Sequence, residues 1–310
     1  MVFLMYSMMS YFVYNGVSPQ DRDCQNCSNI TINGYNLFFH EIGVETSIPT
    51  VVLVHGGPGH SSLSFKNSFD FLSNYTRVVY YDQRGSGNSQ IKKDGVYNID
   101  GIIDDLELIR RDILKSPKIT LVGHSFGSTI VQRYAIKYSL NVNKMFMIGG
   151  TLINNNMGSR FLWNLFGPTF YSFGMGYPPH NAIKADKWFT ESNVKDSAYR
   201  LYNKSYIGLL NDTGLISFAP WFDISLSACG YSYENELKSL SIPSIYMYGV
   251  ADSQYTREDT GKQICSLIPN CTVKGFSNSG HWPFLEEPQN FQDEFIKHLL
   301  YFVFNFRLLT

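Results

Sequence analysis

Five short runs in this chain carry no charge and almost no polar atoms: Val51-Val52-Leu53-Val54, Val78-Val79-Tyr80-Tyr81, Ile119-Thr120-Leu121-Val122, Met145-Phe146-Met147-Ile148 and Ile245-Tyr246-Met247-Tyr248. A strand with one wet face alternates apolar and polar residues, whereas a strand covered on both faces does not. Each run therefore reads as a fully buried strand. The cover comes from the segments between them. Ile102, Leu106, Ile109 and Ile113 recur at helical spacing after the second run, and Ile130, Tyr134 and Tyr138 do so after the third. This βαβ alternation specifies an α/β fold in which a mostly parallel sheet has helices on both faces.

The rhythm breaks between residues 152 and 237. Phe161, Trp163, Phe166, Phe170, Tyr171, Phe173 and Tyr177 crowd the stretch 161–180 without strand-like alternation, and the sheet signal returns at Ser244. The expectation is an inserted helical cap at 152–237 on a core made of 30–151 and 238–310. Residues 1–29 form an N-terminal extension, read as signal-like or disordered. The final stretch LLYFVFNFRLLT reads as a docked last helix.

Composition narrows the partners. Lys+Arg 25 against Asp+Glu 26 gives a net charge of -1, and no Lys/Arg-rich block interrupts the chain, which argues against nucleic acid. The apolar start MVFLMYSMMSYFVYNG is too short to span a bilayer, so no integral membrane span is expected. It has no basic residue before Arg22 and no clear cleavage site, so the reading is cytoplasmic. The secreted or endomembrane route is the alternative, if residues 1–16 act as a signal peptide. Six Asn-x-Ser/Thr sequons (Asn26, Asn29, Asn74, Asn203, Asn211, Asn270) do not decide between them. Cys24, Cys27, Cys229, Cys265 and Cys271 lack ligand spacing, and Cys24-Gln-Asn-Cys27 lies outside any βαβ context. With no His-Glu-x-x-His motif either, neither a metal nor a cofactor is expected.

Chemistry enters at Gly123-His124-Ser125-Phe126-Gly127, a Gly-x-Ser-x-Gly placed between a strand ending at Val122 and a helix starting near Phe126. A sharp strand-to-helix turn there exposes the serine oxygen, and small neighbours let helix and strand pack closely. A serine hydroxyl needs a base, so a carboxylate and then a histidine should follow. Asp252 lies in the loop after Tyr248-Gly249, and His281 in the glycine-marked loop Asn278-Ser279-Gly280-His281-Trp282-Pro283. Glu258 and Asp259 compete with Asp252 but sit further on, in a helical pattern. His40, His180 and His298 read as ordinary core or surface histidines, and Asp82 as a loop brace.

The glycine-rich stretch His55-Gly56-Gly57-Pro58-Gly59 follows the first buried run. No Gly-Lys-Ser/Thr follows it, and Ser62 holds the third glycine position of a dinucleotide loop, so neither phosphate reading fits. An oxyanion hole needs only backbone donors, one after the nucleophile and one from a neighbouring strand's loop. Phe126 N–H and Gly57 N–H are the natural pair.

Three blocks give the chain a family likeness: His55-Gly56-Gly57-Pro58-Gly59; Asp82-Gln83-Arg84-Gly85-Ser86-Gly87-Asn88-Ser89; and Gly280-His281-Trp282-Pro283 with Glu286 and Pro288 behind it. With the elbow and Asp252, the chain resembles the α/β-hydrolase superfamily and, within it, the proline iminopeptidase family of serine peptidases. The resemblance implies Ser125 as nucleophile, His281 as base, Asp252 as its orienter, and Gly57 with Phe126 as oxyanion donors. It also implies cap carboxylates that hold the substrate's free amino group, for which Glu191, Glu234 and Glu236 are the candidates. The elbow departs from the Gly-Gly-Ser-Trp-Gly of many members. The expected function is a serine hydrolase working through an acyl-enzyme and releasing N-terminal proline or another residue from a short peptide or amide. The alternatives are hydrolysis of a carboxylic-ester or lipid-like acyl substrate, and a catalytically silent receptor or interaction module. Oligomeric state is not legible.

Overall fold

Backbone pairing gathers the buried runs into one sheet. The computed structural model describes residues 27–65, 67–92, 94–151, 182–211, 216–228, 232–253 and 256–305. Residues 1–26, the aromatic stretch 161–180 with His180, Cys24 and Cys229 lie outside them. The sheet has eight strands: β1 (Cys27–Ile32), β2 (Tyr35–Ile42), β3 (Val51–Val54), β4 (Val78–Tyr81), β5 (Ile119–His124), β6 (Val142–Ile148), β7 (Ser244–Gly249) and β8 (Cys271–Phe276). Their order is β1-β2-β4-β3-β5-β6-β7-β8. The β1–β2 and β2–β4 pairs are antiparallel and all others are parallel. Every residue of the five apolar runs is buried.

Period two explains why those runs are apolar throughout. Val52, Val54, Val79, Tyr81, Leu121, Met145, Met147 and Tyr246 enter one hydrophobic cluster, and their neighbours Val51, Leu53, Val78, Tyr80, Val122, Phe146, Ile148, Ile245 and Met247 enter the other. Helices α1 (Ile99–Leu108) and α2 (Phe126–Lys137) cover the first face with Ile102, Leu106, Ile130 and Tyr134. Asn98 caps α1 by accepting from Gly101 N at 2.7 Å.

Among the described residues, four helices lie between β6 and β7: α3 (Ala182–Ser197), α4 (Ile207–Asn211), α5 (Phe218–Ala228) and α6 (Glu234–Leu237). After β7 come α7 (Glu258–Leu267), α8 (Pro283–Glu286) and α9 (Pro288–Asn305). Helix α9 docks on the second face, where Phe295 stacks on Phe146 with ring centroids 4.0 Å apart and Phe291 and Leu299 are buried beside it. Cys265 and Cys271 form a disulfide joining α7 to β8. Among the described residues, no helix is long and apolar enough to cross a membrane.

Candidate active site

The parallel register places the functional loops along one edge. Val54 pairs with Gly123, His124 with Ile148, and Gly249 with Phe276. The loops leaving β3, β5, β6, β7 and β8 therefore open at the carboxyl ends of the strands, where open α/β sheets place their ligands.

Ser125 sits in a sharp strand-to-helix turn at that edge. Its backbone holds φ 55° and ψ -123°, a conformation that costs a non-glycine residue about 1–3 kcal/mol. Glycines on either side make the turn sterically feasible. A Cβ on Gly127 would lie 2.1 Å from Val54 O, and one on Gly123 would lie 2.4 Å from Gly127 O. The first turn of α2 is thus pressed onto β3 and β5, and Ser125 N donates to Ile148 O at 2.8 Å. Across from it, a Cβ on Gly56 would stand 2.8 Å from Ser125 Cβ and 3.3 Å from Phe126 N. The Gly56–Gly57 peptide therefore runs alongside the elbow, with Gly57 at φ +115°.

Rigid polar bracing holds the glycine loop. Asp82 accepts from Ser62 N at 2.6 Å and Asn88 N at 2.8 Å, the bracing role expected for it. Gln83 binds His55 twice, from its backbone N to Nε2 at 3.1 Å and from its side chain to the His55 carbonyl at 2.8 Å. Arg84 forms a buried two-bond pair with Asp105 at 2.6 and 2.5 Å.

The structure brings Asp252 and His281 together: His281 Nδ1 lies 2.6 Å from Asp252 Oδ2, and both residues are buried. Burial pushes the Asp252 carboxyl up, but the contacts with His281 and Arg200 and the hydrogen bond from Thr256 outweigh it, so the carboxyl stays well below the usual carboxylate range. Burial and the neighbouring Arg200 together pull His281 below its ordinary value, which Asp252 only partly offsets. A neutral imidazole that donates from Nδ1 presents a free lone pair on Nε2, as a proton acceptor must. Ser125 Oγ makes no hydrogen bond to that ring within the described residues; catalytic contacts often tighten only with substrate present.

Three further contacts surround this pair. His124, held well below its ordinary value by burial and by His281, uses Nε2 to contact the His281 carbonyl at 2.9 Å, and the two rings are 4.7 Å apart. Glu286 accepts from Gly280 N at 2.6 Å and Asn203 N at 3.0 Å, tying the histidine loop to the inserted helices. Arg200 reaches both members of the pair.

The insert contributes an aromatic wall. Phe189 packs on Trp221 at 4.7 Å and on Phe218 at 5.3 Å, with Trp188 at 5.9 Å from Phe218. Ser217 N donates to Gly59 O at 2.8 Å, and a Cβ on Gly59 would lie 3.1 Å from Trp221 Cβ, so this wall stands on the glycine loop. Within it, Asp186 is 7% exposed and accepts from Phe218 N at 2.9 Å through Oδ1. Burial pushes its carboxyl up to about 7, only partly offset by the bond from Phe218 N. Glu191 and Glu236 are exposed and Glu234 is half-buried; α6, which carries Glu234 and Glu236, packs on α2 and α7. His40 packs on Tyr80 in the sheet, and His298 pairs with Glu294 on α9.

Similarity to known proteins follows the same lines. A family model described as alpha/beta hydrolase fold matches residues 49–288. A proline iminopeptidase of Lactobacillus delbrueckii subsp. lactis is 24% identical over 281 residues, covering 81% of this chain and 90% of that protein. One from Saccharolobus solfataricus is 38% identical over 109 residues, 34% of this chain and 35% of that protein. Among solved structures, a thermophilic esterase from Thermogutta terrifontis superposes with a TM-score of 0.68 at 21% identity, covering 89% of this chain and 99% of that one. The enol-lactonase from Burkholderia xenovorans LB400 gives 0.70 at 16% identity, over 88% and 99%.

Proposed function

Since the chain belongs to the alpha/beta hydrolase fold family, we propose that it is a serine hydrolase and that its substrates carry a free N-terminal amine, proline-bearing peptides and amides first among them. Ser125 attacks the substrate carbonyl. His281 takes the hydroxyl proton on Nε2 and returns it to the leaving amine, while Asp252 holds the ring in the required tautomer. The oxyanion lies between Gly57 N–H and Phe126 N–H, and water then releases the acyl group by the same steps in reverse. The helices between β6 and β7 act as a cap over this edge.

One observation carries the choice of an amine: Asp186. A carboxylate in an aromatic wall, with one backbone donor and no cation among the described residues, is left unstable by desolvation. A bound ammonium would supply the missing charge. This wall stands on the loop that carries Gly57, which supports Asp186 over Glu191, Glu234 and Glu236 as the carboxylate for the task. Names of proline iminopeptidases among the relatives lend support. The aromatic wall itself equally suits an apolar acyl group, the second reading.

A panel of aminoacyl arylamides, proline included, set beside short and long acyl esters, separates the two. The amine reading expects turnover of free-amine substrates and a marked loss on N-acetylation. Turnover of esters alone overturns it.

A further inference from the structure

Arg200 ends a short turn, Ala198–Arg200, in the segment between β6 and β7. Its carbonyl accepts from His281 N at 2.8 Å, and its guanidinium turns back onto the same residue. Nε and Nη2 each lie 3.3 Å from Asp252 Oδ1, and Nη2 lies 2.7 Å from His281 Nδ1. That ring nitrogen is already 2.6 Å from Asp252 Oδ2. Two bare acceptors do not approach so closely, so Nδ1 bears the proton that bonds Oδ2, and the guanidinium faces an N–H, not a lone pair. Asp252 holds it there.

The consequence depends on the charge of the ring. Around a neutral imidazole, Arg200 and Asp252 attract, and Ser253 N adds a bond to Oδ1 at 2.7 Å. Around an imidazolium, the half-buried guanidinium is a cation against a buried cation, where such repulsion is only partly screened. The other titratable groups facing the ring are His124 from the end of β5 and half-buried His60 from the loop after β3. Burial keeps both neutral, His60 down to about 3. Asp252 favours the imidazolium, and Arg200 opposes it.

We propose that Arg200 is a positioning residue of the Asp252–His281 pair, which clamps Asp252 in its ionised form and keeps the His281 ring uncharged in more acidic solution than the pair alone would allow. The claim deepens the reading of His281 as the base and rests on it. The same contact makes the base weaker, trading proton affinity for readiness at low pH, and it makes readiness depend on a residue from outside the strand-end loops.

The test follows fluorophosphonate labelling of Ser125 against pH, together with the His281 imidazole resonance by NMR, in the native protein, Arg200→Gln and Arg200→Lys. Removing the cation should move both the acid limb of labelling and the NMR midpoint up by about one pH unit, while Lys keeps the native limb. A purely structural role would lower the labelled fraction at every pH without moving the limb. Equal midpoints in native and Gln proteins overturn the proposal. Should the Gln protein not fold, the native titration decides alone: a midpoint at or above the ordinary imidazole value of about 6.5 overturns it. If no form is labelled at Ser125, the serine-hydrolase reading fails, and the NMR midpoints still judge Arg200.

Discussion

At Ser125 the proposed chemistry and stability pull apart. Its φ of 55° belongs to glycine's conformational range, so the native side chain is kept at the cost of backbone strain. Ser125→Gly should therefore raise the unfolding free energy by about 1 kcal/mol in urea titrations while abolishing turnover. Ser125→Ala, which relieves no strain, should lower kcat by several orders of magnitude with a stability near native. Equal stabilities of the Gly and Ala proteins would sink the strain argument. Ser125 and Asp252 are legible in sequence because each sits beside glycine just after a buried strand, and His281 because glycine marks its loop after the half-exposed β8. Arg200 and His124 are not, since their contacts with residue 281 join chain segments 81 and 157 positions apart. Asp186 did leave a trace: spacing of three residues puts it on the helical stripe of Phe189, although its polar neighbours Lys184 and Lys187 disguise that stripe as solvated.

Elements show which parts of the fold a pattern can and cannot announce. Strands β3 to β7 are readable because both faces are covered; β8 is half-exposed at the sheet edge, and its residues carry no continuous apolar run. The β1–β2 hairpin carries a local signal: Asn33-Gly34, with φ 49° and 77°, is the two-residue turn that antiparallel strands favour. Close packing between elements is the least legible, because it depends on the absence of side chains. Gly127→Ala places a methyl 2.1 Å from the Val54 carbonyl, backbone against backbone, so helix α2 must lift from β3. The expected loss is about 3 kcal/mol or more in urea unfolding, with Ser125 labelling lost alongside. Phe295→Ala, which empties a stacked site on the opposite face, should cost a similar ~3–5 kcal/mol but leave the labelling of folded protein near native. Loss of labelling in folded Phe295→Ala protein would mean that α9 helps to set the geometry of the elbow.

Across the whole molecule, two buried carboxylates give the stability curve opposite slopes. Asp252 is held below its unfolded value, so its contribution is present above the ordinary carboxylate range and is lost as pH falls through it. Asp186 is raised to about 7, so the native state binds the extra proton, and stability falls as pH climbs from about 4 to about 7. At about 1.4 kcal/mol per unit, the penalty above neutrality is on the order of a few kcal/mol. Asp186→Asn retains an oxygen for Phe218 N and removes the charge. Its Tm should exceed the native value at pH 8 and match it near pH 4.5, the reverse of what loss of a useful ion pair would give. The amine hypothesis adds a second axis to the same measurement. A ligand such as prolinamide, cationic at pH 7.5, should raise the native Tm by relieving Asp186, and should do little for Asp186→Asn. If the variant gains nothing at pH 8, Asp186 is not the desolvated charge inferred here. If it gains stability yet prolinamide still shifts both proteins equally, the carboxylate is buried for another purpose and the amine must be held elsewhere.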